Sequence, residues 1–131
     1  MNDEPSRALS ILLVDDHVDS LELLARLLRR CGHRVATARR VDEAVRAIGR
    51  ERFDILVSDI GLPDGCGTDI MRAIKAEQGT PGVALTGHGE EHYIAACAEA
   101  GFAARLLKPV VFKQLVEAME TVLPEATKPI C

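Results

Sequence analysis

Asp59 ends the run Phe53-Asp54-Ile55-Leu56-Val57-Ser58-Asp59, and Ile60-Gly61-Leu62-Pro63-Asp64-Gly65 follows it. A short apolar run closed by turn residues predicts a buried strand. A lone aspartate after a strand is ordinarily a turn cap. Other runs end in equally pointed chemistry: Ile11-Leu12-Leu13-Val14 in Asp15-Asp16, Val83-Ala84-Leu85 in Thr86-Gly87, and Ala103 to Leu107 in Lys108-Pro109. If the fold gathers these ends, three carboxylates share one place and repel one another unless a cation sits among them. Oxygen ligands suit a hard ion such as Mg²⁺ or Mn²⁺. A lysine and a threonine hydroxyl beside that ion suit the oxygens of a phosphoryl group, whose transfer rests on positioning and charge neutralisation. Gly87 lets a tetrahedral group approach the backbone. An aspartate can itself be the acceptor, forming an acyl phosphate.

The elements that must position these groups are legible in order. Residues 10–14 predict a strand, and residues 18–31 a helix with Leu21, Leu24 and Leu28 beside Leu23, Leu27 and Cys31. Asp16 or Asp19 is expected to cap that helix, and Gly32 to end it. Residues 34–38 predict a strand and 41–48 a helix stopped by Gly49. After the central strand come a helix over 67–77, a strand over 82–86, and an Ala-rich helix over 90–100 with Tyr93, Ile94 and Cys97 as its larger apolar groups. A strand over 103–107 and a helix over 112–122 complete the series. Five strands alternating with five helices predict a parallel sheet covered on both faces. The expected architecture is the flavodoxin-like (βα)5 three-layer sandwich in strand order 2-1-3-4-5, with ligands at the carboxyl edge. That order sets Asp15, Asp16 and Asp59 side by side, with Thr86 and Lys108 on the neighbouring strands. The boundaries expected are a flexible lead-in over 1–9, one domain over 10–123 and a loose tail over 124–131.

Composition bounds the partners. The chain has 131 residues, 47% of them apolar, no tryptophan and a net charge of −4. That suits one domain with an aliphatic core, and it disfavours nucleic acid as a direct partner. No apolar run reaches membrane-spanning length and no signal peptide precedes Ser10, so no direct membrane contact and a cytoplasmic location are expected. Cys31, Cys66, Cys97 and Cys131 match no zinc spacing, and four reduced thiols are expected, with Cys131 and Cys66 open to oxidation.

Five pieces in order carry a resemblance: Ile-Leu-Leu-Val-Asp-Asp at 11–16, Asp-Ile-Leu-Val-Ser-Asp at 54–59, Leu-Pro-Asp-Gly at 62–65, Ala-Leu-Thr-Gly at 84–87 and Leu-Leu-Lys-Pro at 106–109. Over about residues 9–123 the chain resembles the receiver domain of two-component response regulators, in particular receivers attached to hybrid sensor kinases. The resemblance implies that Asp59 is the phosphoacceptor, that Asp15, Asp16, Asp59 and the Gly61 backbone carbonyl hold Mg²⁺, and that Thr86 and Lys108 bind phosphoryl oxygens. It implies a histidine kinase or histidine phosphotransfer domain as donor, an attached sensor kinase as a further partner, and self-catalysed phosphorylation and dephosphorylation of Asp59. It also implies a switching face made by helix 4, strand 5 and helix 5, and a cis Lys108–Pro109 bond.

One position departs from the family. Three residues before the lysine it usually carries Tyr or Phe, and here stands Arg105. Burying a guanidinium is costly, so Arg105 is expected to stay outside. His17, His88 and His92 are not expected to bind metal, and His33 is expected on a surface turn. Three other readings compete. A flavin or nucleotide binder would want amides after strand 1, where this chain has Asp15-Asp16-His17. An aspartyl phosphatase resembling haloacid dehalogenases would want a second Asp where Gly61 stands. A degenerate receiver would act only as an interaction module, but this chain keeps all five site residues. No output domain is expected after residue 123, so the chain reads as a free-standing receiver or one cut from a larger protein.

Overall fold

The computed structural model describes residues 8–123 and 129–131. The five apolar runs form β1 (Ser10–Val14), β2 (Arg34–Ala38), β3 (Ile55–Asp59), β4 (Gly82–Thr86) and β5 (Phe102–Leu107). They pair in the order β2-β1-β3-β4-β5, every pair parallel, as the alternation of strands and helices predicts. Between them run α1 (Val18–Arg30), α2 (Val41–Arg50), α3 (Gly67–Gln78) and α4 (Ile94–Ala100), and α5 (Phe112–Val122) follows β5.

The central strands are apolar on both faces because both faces are covered. Ile11, Leu13, Ile55, Val57, Val83 and Leu85 pack with Leu24 and Leu28 of α1 and Leu115 and Met119 of α5. Leu12, Val14, Leu56 and Ala84 face the other way, toward Ile48 of α2, Ile70 and Ile74 of α3 and Cys97 of α4. At about 25 cal/mol per Å² of apolar surface removed from water, these two aliphatic layers dominate stability.

The helices differ from expectation at their ends. His17, not Asp16 or Asp19, stands at the start of α1, and no side chain caps it. Leu23 lies on the solvent side of α1, 54% exposed. Gly49 does not stop α2, which runs on to Arg50. A glycine inside a helix costs only about 1 kcal/mol, which the packing of Ala44 and Ile48 offsets. The start of α2 is instead set from a distance: the Asp64 carboxylate accepts from the N–H groups of Val41 (2.7 Å) and Asp42 (3.1 Å). Two of the orphan donors of a helix start are thereby satisfied by the loop after β3. α4 begins late, after a 3-10 turn over Glu91–Tyr93, and Tyr93 and Ile94 are exposed while Cys97 and Ala100 are buried. Gly89, at φ +86°, keeps the chain out of helical conformation just before it.

The cysteine and tail expectations are corrected. Cys31 and Cys131 form a disulfide across 100 residues, leaving Cys66 and Cys97 as the free thiols. Ile130 is fully buried in the layer shared by α1 and α5, so residues 129–131 are not loose. His33 is not on a surface turn but 5% exposed. Its Nδ1 accepts from the Leu9 N–H (3.0 Å) and its Nε2 donates to the Ile130 carbonyl (2.7 Å). Burial holds its pKa below the usual value, against the raising effect of that carbonyl, as suits a neutral ring bridging both ends of the domain. The expectations for residues 1–7 and 124–128 lie outside the described residues.

Candidate functional site

All five side chains singled out in the sequence arrive at the carboxyl edge of the sheet. Asp15 and Asp16 follow β1, Asp59 ends β3, Thr86 ends β4 and Lys108 follows β5. The edge is tied together by backbone: the Asp15 N–H donates to the Ala38 carbonyl (3.1 Å) and the Lys108 N–H to the Thr86 carbonyl (2.7 Å). The Lys108–Pro109 bond is cis. Behind Asp59, the Gly67 N–H donates to the Ile60 carbonyl (2.7 Å), and a Cβ on Gly67 would collide with the Asp59 carbonyl oxygen. A glycine is therefore required there for the loop to close behind the carboxylate.

Asp59 and Asp15 are 2% and 1% exposed, which would be costly for two isolated carboxylates. Lys108 answers part of that cost. Its Nζ donates to Asp59 Oδ2 at 2.7 Å and lies 4.0 Å from Asp15 Oδ1. Burial pushes the Asp59 carboxyl up to about 8; the Lys108 hydrogen bond pulls it down and neighbouring Asp15 pushes it up. Burial pulls Lys108 down, but Asp59, Asp15 and Asp16 outweigh it and hold the ammonium above its usual value. Asp59 Oδ1 is buried and has no hydrogen-bond partner among the described residues. A buried acceptor left unpaired is uncommon and calls for an explanation, such as a missing ion or reacting group.

One ligand atom each of Asp15, Asp16, His17 and Asp59 falls within 4.8 Å of the others. The donor set is mostly carboxylate oxygen, the chemistry of a small hard cation. His17, set aside in the sequence, turns its exposed ring back onto the pair, with Nδ1 3.5 Å from Asp15 Oδ1 and 3.3 Å from Asp16 Oδ1. The His17 backbone N–H also donates to Asp15 Oδ1 at 2.9 Å. A cleft of about 320 Å³ opens over Asp59, bordered by Asp16, Gly61, Gly87, Glu90 and Lys108. Glu90 was not singled out in the sequence, where nothing separates it from Glu91 beside it. His88 and His92 are exposed and stand outside the acidic cluster.

The Thr86 hydroxyl is engaged on the β5 side. It donates to the Leu106 carbonyl (3.3 Å) and accepts from Arg105 Nη1 (3.3 Å). Arg105 is exposed, as the cost of burying its charge predicts, yet its guanidinium reaches back to the site threonine.

Residues 11–120 match the model of the response regulator receiver domain. The match covers most of the chain, which therefore belongs to that family, the receiver domains of two-component signalling. Sensory/regulatory protein RpfC of Xanthomonas campestris is 30% identical over 118 residues, covering 86% of this chain and 16% of that protein. Response regulator protein PilR of Pseudomonas aeruginosa is 37% identical over 120 residues, covering 88% of this chain and 27% of that protein. The chain thus spans only a small part of the length of these relatives. Among solved structures, a response regulator receiver domain protein from Clostridium thermocellum superposes with a TM-score of 0.81 at 29% identity, covering 88% of this chain and 94% of that one. The receiver domain of sensor histidine kinase PA1611 from Pseudomonas aeruginosa PAO1, with a magnesium ion coordinated in its active site cleft, gives 0.79 at 28% identity, covering 91% and 100%. Among the described residues no helix is long and apolar enough to cross a membrane.

Proposed function

We propose that this receiver domain takes a phosphoryl group onto Asp59 from a histidine kinase or histidine phosphotransfer domain, in a Mg²⁺-dependent reaction in the cytoplasm. The observation that carries the reading is Asp59 Oδ1, a buried carboxylate oxygen with no hydrogen-bond partner among the described residues, on a side chain that lines a cleft with Lys108 and two further carboxylates, Asp16 and Glu90. Asp15, Asp16, Asp59 and the Gly61 carbonyl would hold the ion. When bound, Mg²⁺ offsets the repulsion among the carboxylates and the charge of the incoming phosphoryl oxygens.

This chain's own residues do the rest. Lys108 holds Asp59 by Oδ2 and so fixes the carboxylate at the cleft. A bond forms from an Asp59 carboxylate oxygen to phosphorus as the phosphorus–nitrogen bond of the donor histidine breaks, and the imidazole leaves with the electron pair. Lys108 then stands ready to pair with a phosphoryl oxygen, and Thr86 to donate to another. Beside the cleft lies an apolar groove of about 450 Å³, bordered by Leu23, Leu24, Pro109 and Val110, where a donor domain can seat next to Asp59. Arg105, outside on the face of α4, β5 and α5, offers its guanidinium to a carboxylate of an output partner.

The test is intact-mass spectrometry after incubation with acetyl phosphate. The expected result is a phosphate adduct that EDTA prevents and Asp59→Asn abolishes. An adduct of equal yield in Asp59→Asn would remove Asp59 from the reaction. No adduct under any condition would favour the receiver that acts only as an interaction module.

A further inference from the structure

Glu90 lines the cleft that opens over Asp59. The Gly87 N–H, next in the chain after Thr86, donates to Glu90 Oε1 at 2.6 Å. The contact is reciprocal, since the Glu90 N–H donates to the Gly87 carbonyl at 3.2 Å. Gly89, at φ +86°, turns the chain back so that the carboxylate reaches its own strand end. The other oxygen, Oε2, leans across the cleft and stands 3.2 Å from where a Cβ on Gly61 would sit. Glu90 therefore reaches from Gly87 toward Gly61 along the cleft that Asp59 and Lys108 also line. It lies outside the set of carboxylates close enough to share a cation.

A phosphoryl group on Asp59 needs donors for its oxygens. Lys108 supplies a charged one, Thr86 a hydroxyl, and the Gly87 N–H is the backbone donor at the same strand end. That donor is already taken by a carboxylate, an anion with acceptors like those of a phosphoryl oxygen. We propose that Glu90 is a tethered competitor that must swing out before the cleft accepts a phosphoryl group, and so sets which donors this receiver accepts. The inference rests on the reading of Asp59 as phosphoacceptor. Every donor meets the same cost: a short charge-assisted hydrogen bond is lost while like charges approach. A donor domain has surface binding energy to spend on displacing Glu90, whereas a small acyl phosphate has little. Glu90 thus disfavours small phosphodonors relative to protein donors.

The experiment uses the full chain, Glu90→Ala, Glu90→Gln and, as control, Glu99→Ala at an exposed position of α4. The probes are beryllofluoride with Mg²⁺, Mg²⁺ alone and acetyl phosphate. Removing a charge-assisted competitor is worth roughly tenfold. Glu90→Ala is expected to bind beryllofluoride about tenfold more tightly and to phosphorylate correspondingly faster. Glu90→Gln, which keeps an acceptor but loses the charge, should fall between, and Glu99→Ala should match the parent. A readout independent of loading is the Gly87 amide in metal-free protein, whose hydrogen exchange should quicken and whose NMR resonance should move in Glu90→Ala. Unchanged or weaker beryllofluoride binding once that amide is released would overturn the proposal. So would a loss of Mg²⁺ affinity in Glu90→Ala, which would make Glu90 part of the metal site. A parent that neither binds beryllofluoride nor takes phosphate, with Glu90→Ala equally inert, would overturn both readings. An inert parent with an active Glu90→Ala would show a complete block by Glu90.

Discussion

Replacing Asp59 with asparagine tests the electrostatics of the site without any phosphodonor. The carboxyl titrates at about 8 in the folded protein against an ordinary 3.8. An acid whose folded value is raised retains in the native state a proton that the unfolded chain has already released. Stability is therefore lost as pH climbs from about 4 toward 8, and the loss is complete above that. At 1.36 kcal/mol for each pH unit of the gap, the ceiling is roughly 6 kcal/mol. Asparagine has nearly the same shape and never ionises, so it escapes this loss. It gives up the Lys108 ion pair, but the ammonium is 28% exposed and keeps Asp15 at 4.0 Å. The expected net gain is about 1–3 kcal/mol near pH 8. Toward about pH 3, below the ordinary value of 3.8, the parent carboxyl is largely neutral in both states and the gain should vanish. At about 4 °C for each kcal/mol, Asp59→Asn should melt roughly 4–12 °C above the parent at pH 8. The assay is thermal unfolding followed by circular dichroism from pH 5 to 8.5, in EDTA. A difference that stays constant across that range, or a variant less stable throughout, would refute the argument that burial and Asp15 together disfavour the charged form.

Other outcomes follow from the same geometry. Millimolar Mg²⁺ should raise the melting temperature of the parent by relieving carboxylate repulsion, and Asp16→Asn should blunt the rise; a parent indifferent to Mg²⁺ would speak against a cation site. Lys108→Ala should slow phosphorylation by acetyl phosphate at least about tenfold while leaving stability nearly unchanged, because Asp59 can hold a proton instead; adduct formation at the parental rate would reduce Lys108 to a strand-end charge. Cys131→Ser, or reduction of the parent, should lower unfolding stability by about 2–4 kcal/mol in urea, since a link across a long loop restricts the unfolded chain; a urea midpoint that ignores reductant would refute the staple.

The sequence by itself determined the architecture and the composition of the site. Apolar runs of strand length, each closed by a polar or turn residue, alternate with helical spacing, and right-handed crossovers leave few ways to arrange them. Once the strand order is chosen, Asp15, Asp16, Asp59, Thr86 and Lys108 fall on one edge, because residues at strand ends are placed by the backbone. What the tertiary structure decided depends on side chains that meet across unrelated parts of the chain. Asp64 caps α2 from the loop after β3. His33 bridges Leu9 and Ile130, and Cys31 reaches Cys131, because the C-terminal residues return to the end of α1. No spacing in the chain encodes those returns. Glu90 and Glu91 are alike in sequence, but the positive φ of Gly89 turns Glu90 onto the Gly87 amide and leaves Glu91 in solvent. The charge of Arg105 predicted that it would stay outside. Only the packing of β4 against β5 shows that its guanidinium, from outside, holds the hydroxyl of Thr86.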